Sequence, residues 1–201
     1  MSGRGRFITI EGGEGTGKST LVAGLRGSDE FGGALFTREP GGSPGAEEIR
    51  ALFVSGDTDR WDALTELLLI NAARRDHVVR TIEPALAAGR DVICDRYLDS
   101  TRAYQGVRGV DREVIDAMHE TVVGLSPQRT ILLDAAPETG LARAMARTGP
   151  DRFERMEGGF HDALRAAFLD IAKAEPGRVT VLDATRSPED TLAATLEALA
   201  C

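Results

Sequence analysis

Gly12-Gly13-Glu14-Gly15-Thr16-Gly17-Lys18-Ser19-Thr20 fits the pattern G-x-x-x-x-G-K-[ST] and stands in the setting that gives the pattern meaning. The apolar run Phe7 to Ile10 comes before it, and a segment that reads as helix comes after. Glycines let the backbone curl so that successive N–H groups point inward, and the helix beyond the loop adds its positive dipole end. All nine residues, Gly12 through Thr20, are therefore candidates to cradle the phosphates of a nucleotide. Lys18 is placed to reach the β- and γ-phosphates and Ser19 to ligate magnesium. A glycine-rich turn ahead of a helix would explain the glycines, but not a Lys-Ser pair at this spacing.

Outward from this loop, five short apolar runs punctuate the chain: Phe7 to Ile10, Ala34 to Phe36, Val92 to Cys94, Ile131 to Leu133 and Val179 to Leu182. Each is strand-length and ends near a charged residue. Between them lie stretches with helical period, such as Phe160, Leu164, Phe168 and Ile171, or Leu192, Leu196 and Leu199. Ser187 and Pro188 open the last of these as N-cap and first helical residue. Alternating strands and helices predict an α/β chain of the P-loop NTPase fold, with a five-stranded parallel sheet flanked by helices on both faces. Ligands collect at the carboxyl ends of strands in such folds, so chemistry is expected just after each apolar run.

The chain has 201 residues, a length that suits one domain, and no repeat or linker divides it, so residues 1–201 are expected to form a single unit. Its apolar share is 42%, with no run approaching the roughly 18 apolar residues of a membrane helix. The first residues, Met1 to Arg6, show no cleavable signal pattern, and a soluble, cytoplasmic protein is the expectation. Cys94 sits within a core-like run and Cys201 is the last residue, so no disulfide between them is expected. A formal charge of −8 argues against general nucleic-acid binding while leaving room for a local cluster of arginines around a small anion.

A phosphate cradle does not say what receives the phosphate. The Asn-Lys-x-Asp guanine-reading tetrapeptide of GTPases is absent, and so is a transporter-type LSGGQ signature. The chain carries instead Thr37-Arg38-Glu39-Pro40-Gly41-Gly42, then Leu67-Leu68-Leu69 with Ala72 and Arg74, then Asp95-Arg96-Tyr97 with Asp99-Ser100 and Ala103-Tyr104-Gln105-Gly106. Asp134 with Pro137, Asp151-Arg152 and Leu182-Asp183-Ala184-Thr185 continue the series. Over nearly the whole chain this set resembles the thymidylate kinase family.

The resemblance implies transfer of the γ-phosphate of ATP to dTMP, with Mg²⁺ as cofactor and two nucleotides as the small-molecule partners. It further implies a homodimer and a lid at about residues 143–156. It assigns the acceptor phosphate to Arg38, Arg74 and Arg96, and that role suits charge-assisted, often bidentate hydrogen bonds. Glu39 and Pro40 belong to the same acceptor motif. Asp95 would orient the magnesium hydration shell or bond Lys18. Glu14 would contact the acceptor sugar near its 3′-hydroxyl, and Tyr104 would crowd the 2′ face. Ser100, Thr101 and Gln105 would line the acceptor pocket, with Thr101 nearest the pyrimidine edge. In the lid, Arg147 or Arg152 would act as an arginine finger and Arg143 would stack on adenine.

One position departs from the family pattern. Ile70 stands where the family usually has a phenylalanine that stacks on thymine, and base-on-aromatic stacking is worth roughly 1–3 kcal/mol. Two substrates stay open at this point: thymidylate in a relaxed pocket, or another pyrimidine or modified deoxynucleoside monophosphate. A kinase for a different small molecule and a slow nucleotide-binding switch are the rival classes.

Overall fold

The computed structural model describes residues 3–145, 152–156 and 159–200. Five strands form one parallel sheet: β1 (Phe7–Gly12), β2 (Leu35–Arg38), β3 (Val92–Asp95), β4 (Arg129–Asp134) and β5 (Val179–Asp183). The spatial order is β2-β3-β1-β4-β5, and all pairings are parallel, as the alternation of strands and helices predicts. Every strand matches one of the five apolar runs. β1 is buried at all six positions because it lies between β3 and β4 with helices above and below.

Alternation along the strands divides the core into two layers. Ile8, Ile10, Ile93, Ile131 and Leu133 face α1 (Lys18–Arg26) and α9 (Pro188–Ala200), meeting Leu21, Leu25 and Leu199. Phe7, Val92, Cys94 and Leu132 face the other side, where they share a cluster with residues of α3 (Ala63–His77), α5 (Leu98–Val107), α6 (Arg112–Val122) and α8 (Phe160–Ala174). On that second face Thr9 and Thr130 satisfy one another by a hydroxyl–hydroxyl bond of 2.7 Å. α2 (Pro44–Val54) packs on α3, whose last turn passes through a π-helical stretch, Val78–Ile82, into α4 (Glu83–Ala87).

Helix starts obey local chemistry. Asp62 caps α3 by accepting from Leu64 N and Thr65 N, each at 3.0 Å. Ser187 caps α9 by accepting from Asp190 N at 3.0 Å, with Pro188 in the first turn as its spacing predicts. α7 (Pro137–Met145) brings Gly140 so close to the loop after β1 that a Cβ at Gly15 would overlap the Gly140 carbonyl. Gly15 also has φ +63°, a second reason for glycine there. Among the described residues no helix is long and apolar enough to cross a membrane.

The sheet reverses its winding around β1, with β3 on one side and β4 on the other. The loop that leaves β1 therefore emerges at the switch point of the fold, beside the carboxyl ends of β3 and β4.

Candidate active site

The loop Gly13–Gly17 turns over the end of β1 and hands the chain to α1 at Lys18, with Gly17 at φ +92°. Lys18 is buried and donates to the carbonyls of Gly12 at 3.1 Å and Gly13 at 2.7 Å. Burial, then the Arg96 guanidinium, hold its ammonium down to about 8 even though Glu14, Asp95 and Glu11 pull the other way. Ser19 and Thr20 are exposed at the helix start. Thr16 is buried, its hydroxyl donating to Gly13 O at 3.1 Å.

Two cavities flank this loop. One, of about 400 Å³, is lined by Gly15, Thr16, Gly17, Thr20, Arg143, Ala184 and Arg186. Arg143 lies at its side, donating to Ala184 O at 3.0 Å, so the residue expected at adenine does border the cleft next to the phosphate loop. The other cavity, about 140 Å³, lies between Glu14 and the carboxyl ends of β2 and β3. It gathers most of the residues expected at the acceptor: Arg38, Glu39, Pro40, Ile70, Arg74, Arg96, Ser100, Thr101, Tyr104 and Gln105, with Asp95 on the same wall.

Arg96 lines the smaller cavity and is bound to the phosphate loop. Its Nη1 donates to Gly12 O at 2.9 Å and Ser100 Oγ at 3.3 Å, and its Nη2 donates to Glu14 Oε1 at 2.9 Å. Its backbone has φ +68°, which for a side chain other than glycine costs about 1–3 kcal/mol. The N–H bond from Arg96 to Ile10 O at 2.9 Å helps fix that conformation. Glu14 also accepts from the Tyr104 hydroxyl. Burial alone would raise its carboxyl, but Arg96, Lys18 and the Tyr104 hydroxyl hold it down at about 2. Glu14 thus faces the acceptor cavity as an anion between Arg96 and Tyr104. Arg38 pairs with Glu47 at 3.0 Å with both side chains about half exposed, a pair worth under about 1 kcal/mol, which an incoming phosphate can displace.

Several of the expected residues are engaged within the protein itself. Arg74, expected at the acceptor phosphate, is buried at the inner end of the cavity. Its Nε donates to Glu39 Oε2 at 2.7 Å, and its Nη2 donates to Thr101 Oγ1 at 2.7 Å and Tyr97 O at 3.1 Å. Its Nη1 is buried and has no protein partner. Glu39 orients Arg74 and also meets His77 Nδ1 at 3.0 Å, so its carboxylate is occupied within the protein. Gln105 lines the cavity, but its amide donates to Glu66 Oε2 at 3.1 Å.

Arg152, expected as a finger, is turned away from the phosphate loop. It is buried against the Glu66 carboxylate and donates to Phe53 O at 3.2 Å, because a fully buried carboxylate attracts whatever guanidinium can reach it. Arg147 and the part of the expected lid at residues 146–151 lie outside the described residues.

Four further residues contribute to the site without any motif that marks them in the sequence. Glu11, the charged residue ending the first apolar run, is 1% exposed; it accepts from Tyr97 N at 2.8 Å and Ser100 Oγ at 2.5 Å. Burial, and then Asp99, push its carboxyl up to about 7. Glu66 is fully buried, accepts from Gln105 and Arg108, and is ion-paired with Arg152. Phe53 and Phe153 add two rings to the cavity wall. The only signal for Glu11 was a carboxylate directly against the glycine loop.

Asp95 Oδ1 is buried and without a protein partner, and the Asp95 charge acts on Lys18, the neighbour of the exposed Ser19. That donor set, one hydroxyl and one free carboxylate oxygen, suits a hydrated magnesium ion shared with phosphate oxygens. Among the described residues no three His, Cys, Asp or Glu side chains form a cage that would hold a metal by protein alone.

The family model for thymidylate kinase matches residues 10–194. The chain is similar to a thymidylate kinase of Ruegeria pomeroyi, 51% identical over 96% of this chain and 93% of that one. It is 53% identical to a thymidylate kinase of Dinoroseobacter shibae, over 96% and 95%. Among solved structures it resembles a crystal structure of thymidylate kinase from Ehrlichia chaffeensis, with a TM-score of 0.78, 31% identity, and 98% and 99% of the two chains covered.

Proposed function

The chain belongs to the thymidylate kinase family, and from that premise we propose that it transfers the γ-phosphate of ATP to dTMP, giving ADP and dTDP. The observation that carries this reading is the pair of cavities beside one phosphate loop, with Arg96 lining the smaller one while it grips Gly12 O and Glu14.

In this reading the donor lies along Gly13–Thr20 with its adenine toward Arg143. The acceptor enters the smaller cavity with its phosphate toward Arg38 and Arg96 and its sugar against Glu14 and Tyr104. Its base points to Arg74 and Thr101, the inner end that the phosphate does not reach. The acceptor oxygen is already ionised near neutral pH, so no general base is needed, and rate comes from alignment and charge neutralisation. Lys18 swings from the loop carbonyls to the phosphates, and Arg96 holds the acceptor phosphate in line. Ser19 and Asp95 would hold Mg²⁺, which offsets charge on the β- and γ-phosphates. A cytoplasmic homodimer is part of the same proposal, as is a finger role for Arg147.

The test is a coupled ADP-release assay over the nucleoside monophosphates with wild type and Lys18→Ala. We expect dTMP-dependent turnover in the wild type. In the variant we expect it to be reduced about a thousandfold or more, with an unchanged circular dichroism spectrum. Preference for another deoxynucleotide would overturn the base assignment, and turnover only with a non-nucleotide would overturn the family of acceptors.

A further inference from the structure

A nucleobase needs two kinds of partner, donors and acceptors along its edge and a flat polarisable surface against its face. In the acceptor cavity the edge is provided for. Arg74 Nη1 is buried and unpartnered beside Thr101, whose hydroxyl is already fixed by Arg74 Nη2 at 2.7 Å. The face is not provided by Ile70, whose side chain is aliphatic.

Four aromatic rings border the cavity, and three are committed elsewhere. Tyr97 packs edge-on to Phe7 at 4.8 Å, lies under the Arg74 guanidinium at 4.8 Å, and spends its hydroxyl on Leu125 O at 2.9 Å. Tyr104 is tied to Glu14 at the phosphate-loop end. Phe153 is covered by the Arg152 guanidinium at 5.0 Å and meets Tyr104 edge-on at 5.3 Å. Phe53 is the fourth. It projects from the last turn of α2, carries no polar group to satisfy, and is backed by Phe153 at 5.3 Å with the rings tilted by 32°. Arg152, donating to the Phe53 carbonyl while held by Glu66, steadies the same corner.

We propose that Phe53 is the specificity-determining residue that supplies the aromatic surface for the acceptor base, taking from the α2 side the role that Ile70 on α3 cannot fill. The proposal rests on the nucleotide-kinase reading above and narrows it: the pocket recognises a planar base through α2, with Phe153 as the buttress.

Steady-state kinetics of the full chain with dTMP and ATP test it, alongside Phe53→Leu, Phe53→Ala and the double variant Phe53→Ala/Ile70→Phe. Loss of the ring should raise KM for dTMP about tenfold. KM for ATP is expected to stay within about twofold of wild type, because α2 does not border the donor cleft. Moving an aromatic ring to position 70 should recover most of the dTMP affinity, which a role in packing alone does not explain. If the alanine variant does not fold, Phe53→Leu, which keeps most of the buried volume, carries the test. An unchanged or lowered KM for dTMP in Phe53→Leu overturns the proposal, the lowered value by showing that the ring obstructs the site. A parallel loss of ATP and dTMP binding overturns it as well. A wild type that phosphorylates no nucleoside monophosphate defeats the underlying reading and this role with it, whereas an active wild type with an indifferent Phe53→Leu defeats this role alone.

Discussion

Replacing Glu11 by Gln should make the protein more stable above neutral pH and flatten part of its pH dependence. Glu11 is buried at the end of β1, with Asp99 close enough to repel it, and its carboxyl is pushed up to about 7 from an ordinary 4.5. A raised carboxyl keeps its proton in the folded state over a range where the unfolded chain has already released it. The stability it contributes is therefore complete below about pH 4.5 and is lost as pH rises toward 7. Above that, the ionised side chain costs about 3 kcal/mol relative to the unfolded chain. Glutamine can keep both partners, its carbonyl accepting from Tyr97 N and its amide donating to Ser100 Oγ, while never ionising. Urea unfolding of the two proteins in steps from about pH 5 to about pH 8 measures the effect. The advantage of Glu11→Gln over wild type should grow across that range by an amount approaching 3 kcal/mol. A difference that stays flat with pH would refute the reasoning, since it would mean that Glu11 titrates alike in the folded and unfolded chains.

The site yields two more expected outcomes. Asp95→Asn removes the charge behind the unpartnered Oδ1, and the magnesium concentration for half-maximal turnover should rise about 10–100-fold, read by titrating Mg²⁺ at saturating nucleotides. Glu66→Gln leaves Arg108 and Arg152 facing each other without a counter-charge, and chemical denaturation should show a loss of about 3 kcal/mol; a loss below about 1 kcal/mol would mean that water already screens this cluster.

The sheet was legible because each strand is apolar on both faces and bounded by turn residues, so Phe7–Gly12 or Val92–Asp95 could hardly be read otherwise. The loop was legible because its chemistry is local: the residues that cradle phosphate are consecutive. The acceptor pocket was legible in membership but not in roles. Arg74 and Glu39, or Glu66 and Arg108, are dozens of residues apart, and a charged residue on a helix reads by default as solvated. Only the packing of α2, α3 and α5 shows that Arg74 is sealed between Glu39 and Thr101. Glu11 was missed for the same reason, since burial of a carboxylate is settled by neighbours that its own segment does not contain.

Arg96 combines a guanidinium with a left-handed backbone, and these two demands exclude different sets of replacements. Glycine would relax the main chain and discard the charge, while lysine would keep a charge but neither the fork that grips Gly12 O and Glu14 nor any relief of the backbone. No single substitution serves both, so a library selected for altered acceptor preference is expected to leave position 96 invariant and to find its working diversity at positions 53, 70 and 105.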